Sequence, residues 1–275
     1  MESYRYRIFD PSGNVTALAT ELVYDPEVRL RVQDAILARH RDVEQVGFIS
    51  DDASMPQLFM AGGEFCGNAV RAAAWHYLRR KPGEIKMRVL GVADDIRAGV
   101  SESLNVWAQV AVSKDPWNVK RIGEGLHFAE LEGIAHLVVA QRQSREYLRG
   151  LDADSYGDKL RLKTSARELL KHFELYDRDA CGVMFCENVM DMLKIHPCVF
   201  INSAGTAYYE MACGSGSVAV VMVAAALHGK SMSLPVLQPS ERVIETTVEF
   251  RNGGAVEAVI SGGVSDDDML YELEV

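Results

Sequence analysis

The chain has 275 residues, 48% apolar and 25% charged, a composition that fits one large globular domain or two of about 130 residues. Its net charge of −10 argues against a general nucleic-acid-binding surface. Its longest apolar run, Val218 to Leu227, is far short of the ~20 residues of a membrane span, and Met1 to Arg7 lack an apolar signal core, so a cytoplasmic location is expected.

The first half opens with strand patterns at Tyr4–Phe9 and Val15–Leu22. A helix follows at about Glu27 to Arg41, where Val28, Val32, Ala35, Ile36 and Leu37 form an apolar stripe. Strands are expected at Gln45–Ile49 and Leu58–Met60, and a second helix starts at Cys66 and stops near Lys81-Pro82-Gly83. Three more strands are expected at Ile85–Leu90, Asp95–Val100 and Leu104–Val112.

The second half runs in a similar order. Strands are expected at Gly125–Leu131 and Ile134–Ala140, then a helix at about Leu160 to Phe173, then strands at Gly182–Cys186, Cys198–Asn202 and Ala207–Glu210. A further helix starts at Cys213, is apolar almost all round and stops near His228-Gly229-Lys230. Strands at Val236–Gln238, Val243–Phe250 and Ala255–Ser261 complete it, with Asn252-Gly253-Gly254 as a hairpin turn.

This repetition predicts an α+β fold of two pseudo-symmetric lobes, each a curled, mostly antiparallel sheet around a central helix. The N-terminal lobe would cover residues 1–114 and the C-terminal lobe 119–265, with a last strand within 266–275 returning to the first.

Two helix starts share a motif: Glu64-Phe65-Cys66-Gly67-Asn68-Ala69 and Met211-Ala212-Cys213-Gly214-Ser215-Gly216, the cysteines 213 − 66 = 147 positions apart. A helix N-terminus presents unpaired N–H groups and about half a positive charge, which lowers a thiol pKa and binds a carboxylate. Two such starts suit a pair of thiols, one on each face of a substrate α-carbon. The other cysteines, 181, 186 and 198, carry no metal-ligand spacing; Cys181 and Cys186 lie in an apolar run and read as packed thiols. No dinucleotide loop, pyridoxal phosphate lysine site or zinc motif is recognisable, so neither a cofactor nor a metal is expected.

At these residues, and at Asp10-Pro11-Ser12-Gly13-Asn14, the chain resembles the diaminopimelate epimerase superfamily of cofactor-independent racemases. It is most similar there to histidine racemases of staphylopine-type metallophore biosynthesis, through Glu44-Gln45-Val46-Gly47-Phe48-Ile49, Gly63 to Ala69 and the Glu210-X-X-Cys213-Gly214-Ser215-Gly216 spacing. The resemblance implies that Cys66 and Cys213 are the base/acid pair, and that Asn14 and Asn68 contact the substrate. It also implies a carboxylate cradle from the backbone of Gly67, Asn68, Gly214 and Ser215. His136 falls where the superfamily places a second-lobe histidine; it reads equally as a core histidine. The Glu-Arg pair that diaminopimelate epimerases carry before the second cysteine is replaced by Ala204-Gly205, which disfavours that substrate. Glu44 and Glu210 are the groups left to bond an imidazole or ammonium, although Glu44 also reads as a solvated hairpin residue.

The expected partner is a small amino acid, L- or D-histidine first, with neither nucleic acid nor membrane, and the resemblance implies a homodimer. Competing readings are a racemase for another basic or polar amino acid, an isomerase of the phenazine-biosynthesis type, and a non-catalytic amino-acid-binding protein.

Overall fold

The structure, a computed structural model, describes residues 2–275. In chain order, the first stretch comprises β1 (Ser3–Pro11), β2 (Thr16–Ala19), α1 (Pro26–Arg39), β3 (Gln45–Ile49), β4 (Gln57–Met60), α2 (Gly67–Tyr77), β5 (Gly83–Val89), β6 (Ile96–Val100) and β7 (Val106–Val110). It continues with β8 (Val119–Gly123), β9 (Leu126–Leu131), β10 (Ile134–Val139), α3 (Gln141–Leu148), α4 (Tyr156–His172), β11 (Ala180–Val189), β12 (Met192–Ile201) and β13 (Thr206–Tyr209). Then come α5 (Gly214–His228), β14 (Met232–Leu237), β15 (Val243–Arg251), β16 (Gly254–Gly262), β17 (Val264–Asp266) and β18 (Tyr271–Glu274). The fold is therefore mixed α/β, rich in strands. It divides into two compact units, residues 1–109 with 261–275, and residues 110–260.

In the first unit, β1 is paired along both edges, antiparallel to β2 on one side and to β17 and β18 on the other. The ladder continues from β2 through β3, β4, β5 and β6 to β7. Alternate β1 residues Tyr4, Tyr6 and Ile8 pack with Val32 and Ile36 of α1 in one apolar core, as the two-residue strand period and the helical period together require. Helix α2 packs against β1, β2, β3, β6 and β17. In the second unit β8, β9, β10, β11, β12 and β13 pair in sequence, and β14, paired with β15, lies along β12. Helix α5 packs against β8 to β12, β14 and β15, and eleven of its residues, from Gly214 to Ala225, are buried.

Most expected elements lie within a few residues of their observed limits; the differences have local causes. The stripe on α1 is not purely apolar: Arg29 and Gln33 are buried with Val32 and Ile36. Arg29 spends its guanidinium on the carbonyls of Val23, Tyr24 and Ala61, which makes its burial tolerable. Helix α2 ends at Tyr77, short of Pro82, because Arg79 and Arg80 turn into the left-handed region at φ 51° and 62° without a glycine. β11 and β12 are ten residues each, longer than expected, since their polar ends close on a tight Met190-Asp191 turn at φ 48° and 62°. Asn202, expected in a strand, lies in a single 3-10 turn. β8, α3 and β17 were not foreseen; each is short or polar and lacks a periodic apolar pattern. The Asn252-Gly253 turn between β15 and β16 has both residues at positive φ, 53° and 92°, as a tight hairpin requires.

No helix among the described residues is long and apolar enough to cross a membrane. Likewise, no three or more His, Cys, Asp or Glu side chains among them are grouped to hold a metal.

Candidate active site

The two cysteine motifs fold identically at the backbone. Cys66 is the N-cap of α2 at φ −130°, ψ 107°, and Cys213 the N-cap of α5 at φ −129°, ψ 107°. Each sulfur accepts from the third N–H of its helix, Ala69 N at 3.4 Å and Gly216 N at 3.3 Å. A cysteine is not a favoured N-cap on stability grounds, where Ser, Thr, Asp and Asn lead. Its use twice places each sulfur over the helix N–H groups, which pull toward the thiolate; at Cys213 burial outweighs that pull, so the lowered thiol pKa expected from the sequence is overturned there.

Around Cys66 the first unit gathers four of the expected residues. Asn14, fully buried, donates from Nδ2 to Glu44 Oε2 at 2.7 Å, and Asn68 Nδ2 reaches Asn14 Oδ1 at 3.4 Å. Glu44 is thus an anchored carboxylate rather than a solvated hairpin group. Asn68 and Gly67 form the first turn of α2. Beneath them lies Arg71, which the sequence reading passed over. It is fully buried and bonds Asn68 Oδ1, Ser12 Oγ and the carbonyls of Val106 and Gly263. Burial pulls its guanidinium down to about 10, and the neighbouring Cys66 and Asp10 act against that pull. An arginine inside the Ala-rich run Asn68-Ala69-Val70-Arg71-Ala72-Ala73-Ala74 is the signal that could have revealed it.

Around Cys213 the second unit gathers Glu210, Gly214, Ser215 and His136. Ser215 Oγ lies 3.5 Å from the Cys213 sulfur and 2.9 Å from His136 Nε2. His136 has no exposed surface, and burial lowers its pKa to about 3, so its imidazole is neutral. Its contact on this side is therefore with Ser215. Burial first, and then the charge of Glu210, push the Cys213 thiol well above its ordinary value. Two further buried residues, missed in the sequence, frame the cysteine. Gln238 Oε1 accepts from Cys213 N at 2.9 Å while its Nε2 donates to Ser217 Oγ, and Ser217 in turn donates to the Cys213 carbonyl at 2.7 Å. Gly216 is closely packed by side chains: a Cβ there would lie 2.2 Å from Met184 Sδ and 3.0 Å from the Cys213 sulfur, so one of them would have to move.

The remaining cysteines, 181, 186 and 198, are buried, and Cys198 lies within electrostatic reach of Glu210. Burial raises Cys181 to about 11 and Cys186 to about 12.

The family match and the curated relatives identify the chain as an amino-acid racemase, an isomerase. Residues 4–266 match the family described as the histidine racemase CntK N-terminal domain, and the chain belongs to that family. A histidine racemase from Fusobacterium nucleatum subsp. nucleatum is 27% identical over 276 residues, covering 93% of this chain and 94% of its own. A histidine racemase from Staphylococcus aureus is 32% identical over 101 residues, 34% of this chain and 37% of its own. Among solved structures, the chain resembles a hydroxyproline epimerase from Agrobacterium vitis with bound trans-4-hydroxy-L-proline. The TM-score is 0.65 at 12% identity, covering 99% of this chain and 91% of that one. It also resembles a Bacillus anthracis phenazine biosynthesis protein of the PhzF family, with TM-score 0.63 and 13% identity over the whole of both chains. At these identities the structural likeness speaks for the fold.

Proposed function

We propose that this protein racemises an amino acid without a cofactor, histidine first, by proton transfer between Cys66 and Cys213. The observation that carries this is the pair of cysteine N-caps with one backbone geometry, each sulfur on the helix N–H groups. The two-lobed, pseudo-symmetric organisation expected from the sequence belongs to the same reading, as does a role in supplying a metallophore pathway.

In the direction that starts at Cys66, the thiolate takes the α-proton: the Cα–H bond breaks and an S–H bond forms. The Cys213 thiol gives its proton to the opposite face, forming the new Cα–H bond and leaving a thiolate. The electron pair left on Cα is delocalised into the substrate carboxylate, whose growing charge is met by the helix N–H groups of Gly67, Asn68, Gly214 and Ser215. Glu44 and Glu210 accept from the substrate's imidazole or ammonium N–H groups, and Asn14 holds Glu44 in place.

Purified, reduced protein incubated with L-histidine in deuterium oxide tests this by chiral chromatography and mass. The expected product is D-histidine carrying one deuterium at Cα from the first turnovers. Cys66→Ser and Cys213→Ser are expected to lower the rate by about 10²–10⁴-fold with the fold intact. Absence of exchange across a panel of amino acids overturns the reaction; faster exchange on another member overturns only the choice of histidine.

A further inference from the structure

Arg71 is the most completely bonded buried charge in the first unit, and its partners form a continuous path. Nε donates to Val106 O at 3.1 Å, Nη2 to Ser12 Oγ and Gly263 O at 3.0 Å each, and Nη1 to Asn68 Oδ1 at 3.2 Å. From Asn68 the path runs through Nδ2 to Asn14 Oδ1, and from Asn14 Nδ2 to Glu44 Oε2.

A guanidinium donates and never accepts, and an ionised carboxylate accepts and never donates. Between these ends lie two amides, each with one donating and one accepting end. Only one orientation satisfies both: each amide turns its oxygen toward Arg71 and its nitrogen toward Glu44. Flipping Asn68 would set an N–H against the guanidinium; flipping Asn14 would set an oxygen against the carboxylate. A neutral or accepting side chain at position 71 would remove the reason for this direction.

We propose that Arg71 is a positioning residue that fixes the direction of the Asn68–Asn14–Glu44 chain, and thereby holds the Glu44 carboxylate ready for the substrate. The inference rests on Glu44 being a substrate group, as in the function proposed above. It assigns a role to the charge on the buried face of α2: a fixed source of hydrogen-bond polarity placed three links away from the carboxylate it serves. Lysine at 71 would keep the charge but lose the planar fork that reaches four acceptors at once.

The test is a double-mutant cycle of Arg71→Lys with Glu44→Gln, read as kcat and KM for racemisation. Deuterium wash-in at Cα over hours provides the rates of slow variants. Arg71→Lys is expected to lower kcat/KM by about 10- to 100-fold in the wild-type background. In the Glu44→Gln background it is expected to cost less than about threefold, because the end of the chain is already lost. Two results overturn the proposal: losses that multiply, as for independent sites, or an Arg71→Lys enzyme within about threefold of wild type. If thermal unfolding shows that Arg71→Lys does not fold, Asn68→Ala, which cuts the same chain one link on, replaces it in the cycle with the same criteria. An inactive wild type on every amino acid would instead overturn the proposed function, so the two failures are distinct.

Discussion

The Cys213 thiol lies beside the Glu210 carboxylate, whereas Cys66 lies within electrostatic reach of the buried Arg71 guanidinium. A carboxylate beside a thiol favours its protonated form, so Glu210 adds to what burial does at Cys213. Replacing Glu210 by Gln removes the negative neighbour, so the Cys213 pKa falls toward its ordinary value and more thiolate is present at pH 8. Alkylation of Cys213 by iodoacetamide, followed by peptide mass, is then expected to quicken by about tenfold for each pKa unit regained. An unchanged rate would show that burial alone, the first cause, holds the thiol protonated.

At the scale of the element, the start of α5 combines three constraints within four residues: the Cys213 N-cap, the Ser215 bridge to His136, and the Gly216 position, where a Cβ would press on the Met184 and Cys213 sulfurs. Gly216→Ala is expected to force Met184 or the Cys213 sulfur aside. Its cost should be about 1–3 kcal/mol of stability by thermal or denaturant unfolding, together with loss of racemisation. These same elements show what a sequence makes visible. Cap chemistry is local, so Cys66-Gly67-Asn68 and Cys213-Gly214-Ser215 were legible, as were the glycine stop at Gly229 and the Asn252-Gly253 turn. The partners of Arg71 are 35, 59 and 192 residues away at Val106, Ser12 and Gly263, and no local pattern announces them. Gln238, 25 residues beyond Cys213, was likewise read as the end of a strand. Glu44 shows the intermediate case: its residue type suggested a binding role, and the Asn14 hydrogen bond sets it apart from a solvated surface carboxylate.

For the whole molecule, the buried thiols link stability to pH. Burial holds Cys181 at about 11 and Cys186 at about 12 in the folded protein, above the roughly 8.5 of an unfolded cysteine. Below pH 8.5 both states keep these protons and stability is unaffected by them. Above it the unfolded chain loses protons that the native one retains, so unfolding is favoured, by up to about 1.4 kcal/mol per thiol per pH unit until the folded value is reached. The melting temperature is therefore expected to fall between pH 8.5 and 10.5. Cys186→Ala should be less stable at pH 7 but show a shallower decline over that interval; an unchanged slope would remove Cys186 as a contributor.

Residues 261–275 belong to the first unit, although the entire second unit is synthesised between them and residue 109. They bring β17 and β18 to the edge of β1 and the Gly263 carbonyl to Arg71, and Glu2 and Val275 exchange both backbone hydrogen bonds at 3.0 Å. On the ribosome, residues 110–260 have all their own pairing partners before the first unit has its last ones. During that interval Arg71 lacks an acceptor that its final bonding pattern includes. The setting of Cys66 at the start of α2 is thus completed late in translation, and a chain cut short after residue 260 would carry both cysteines without the segment that finishes it.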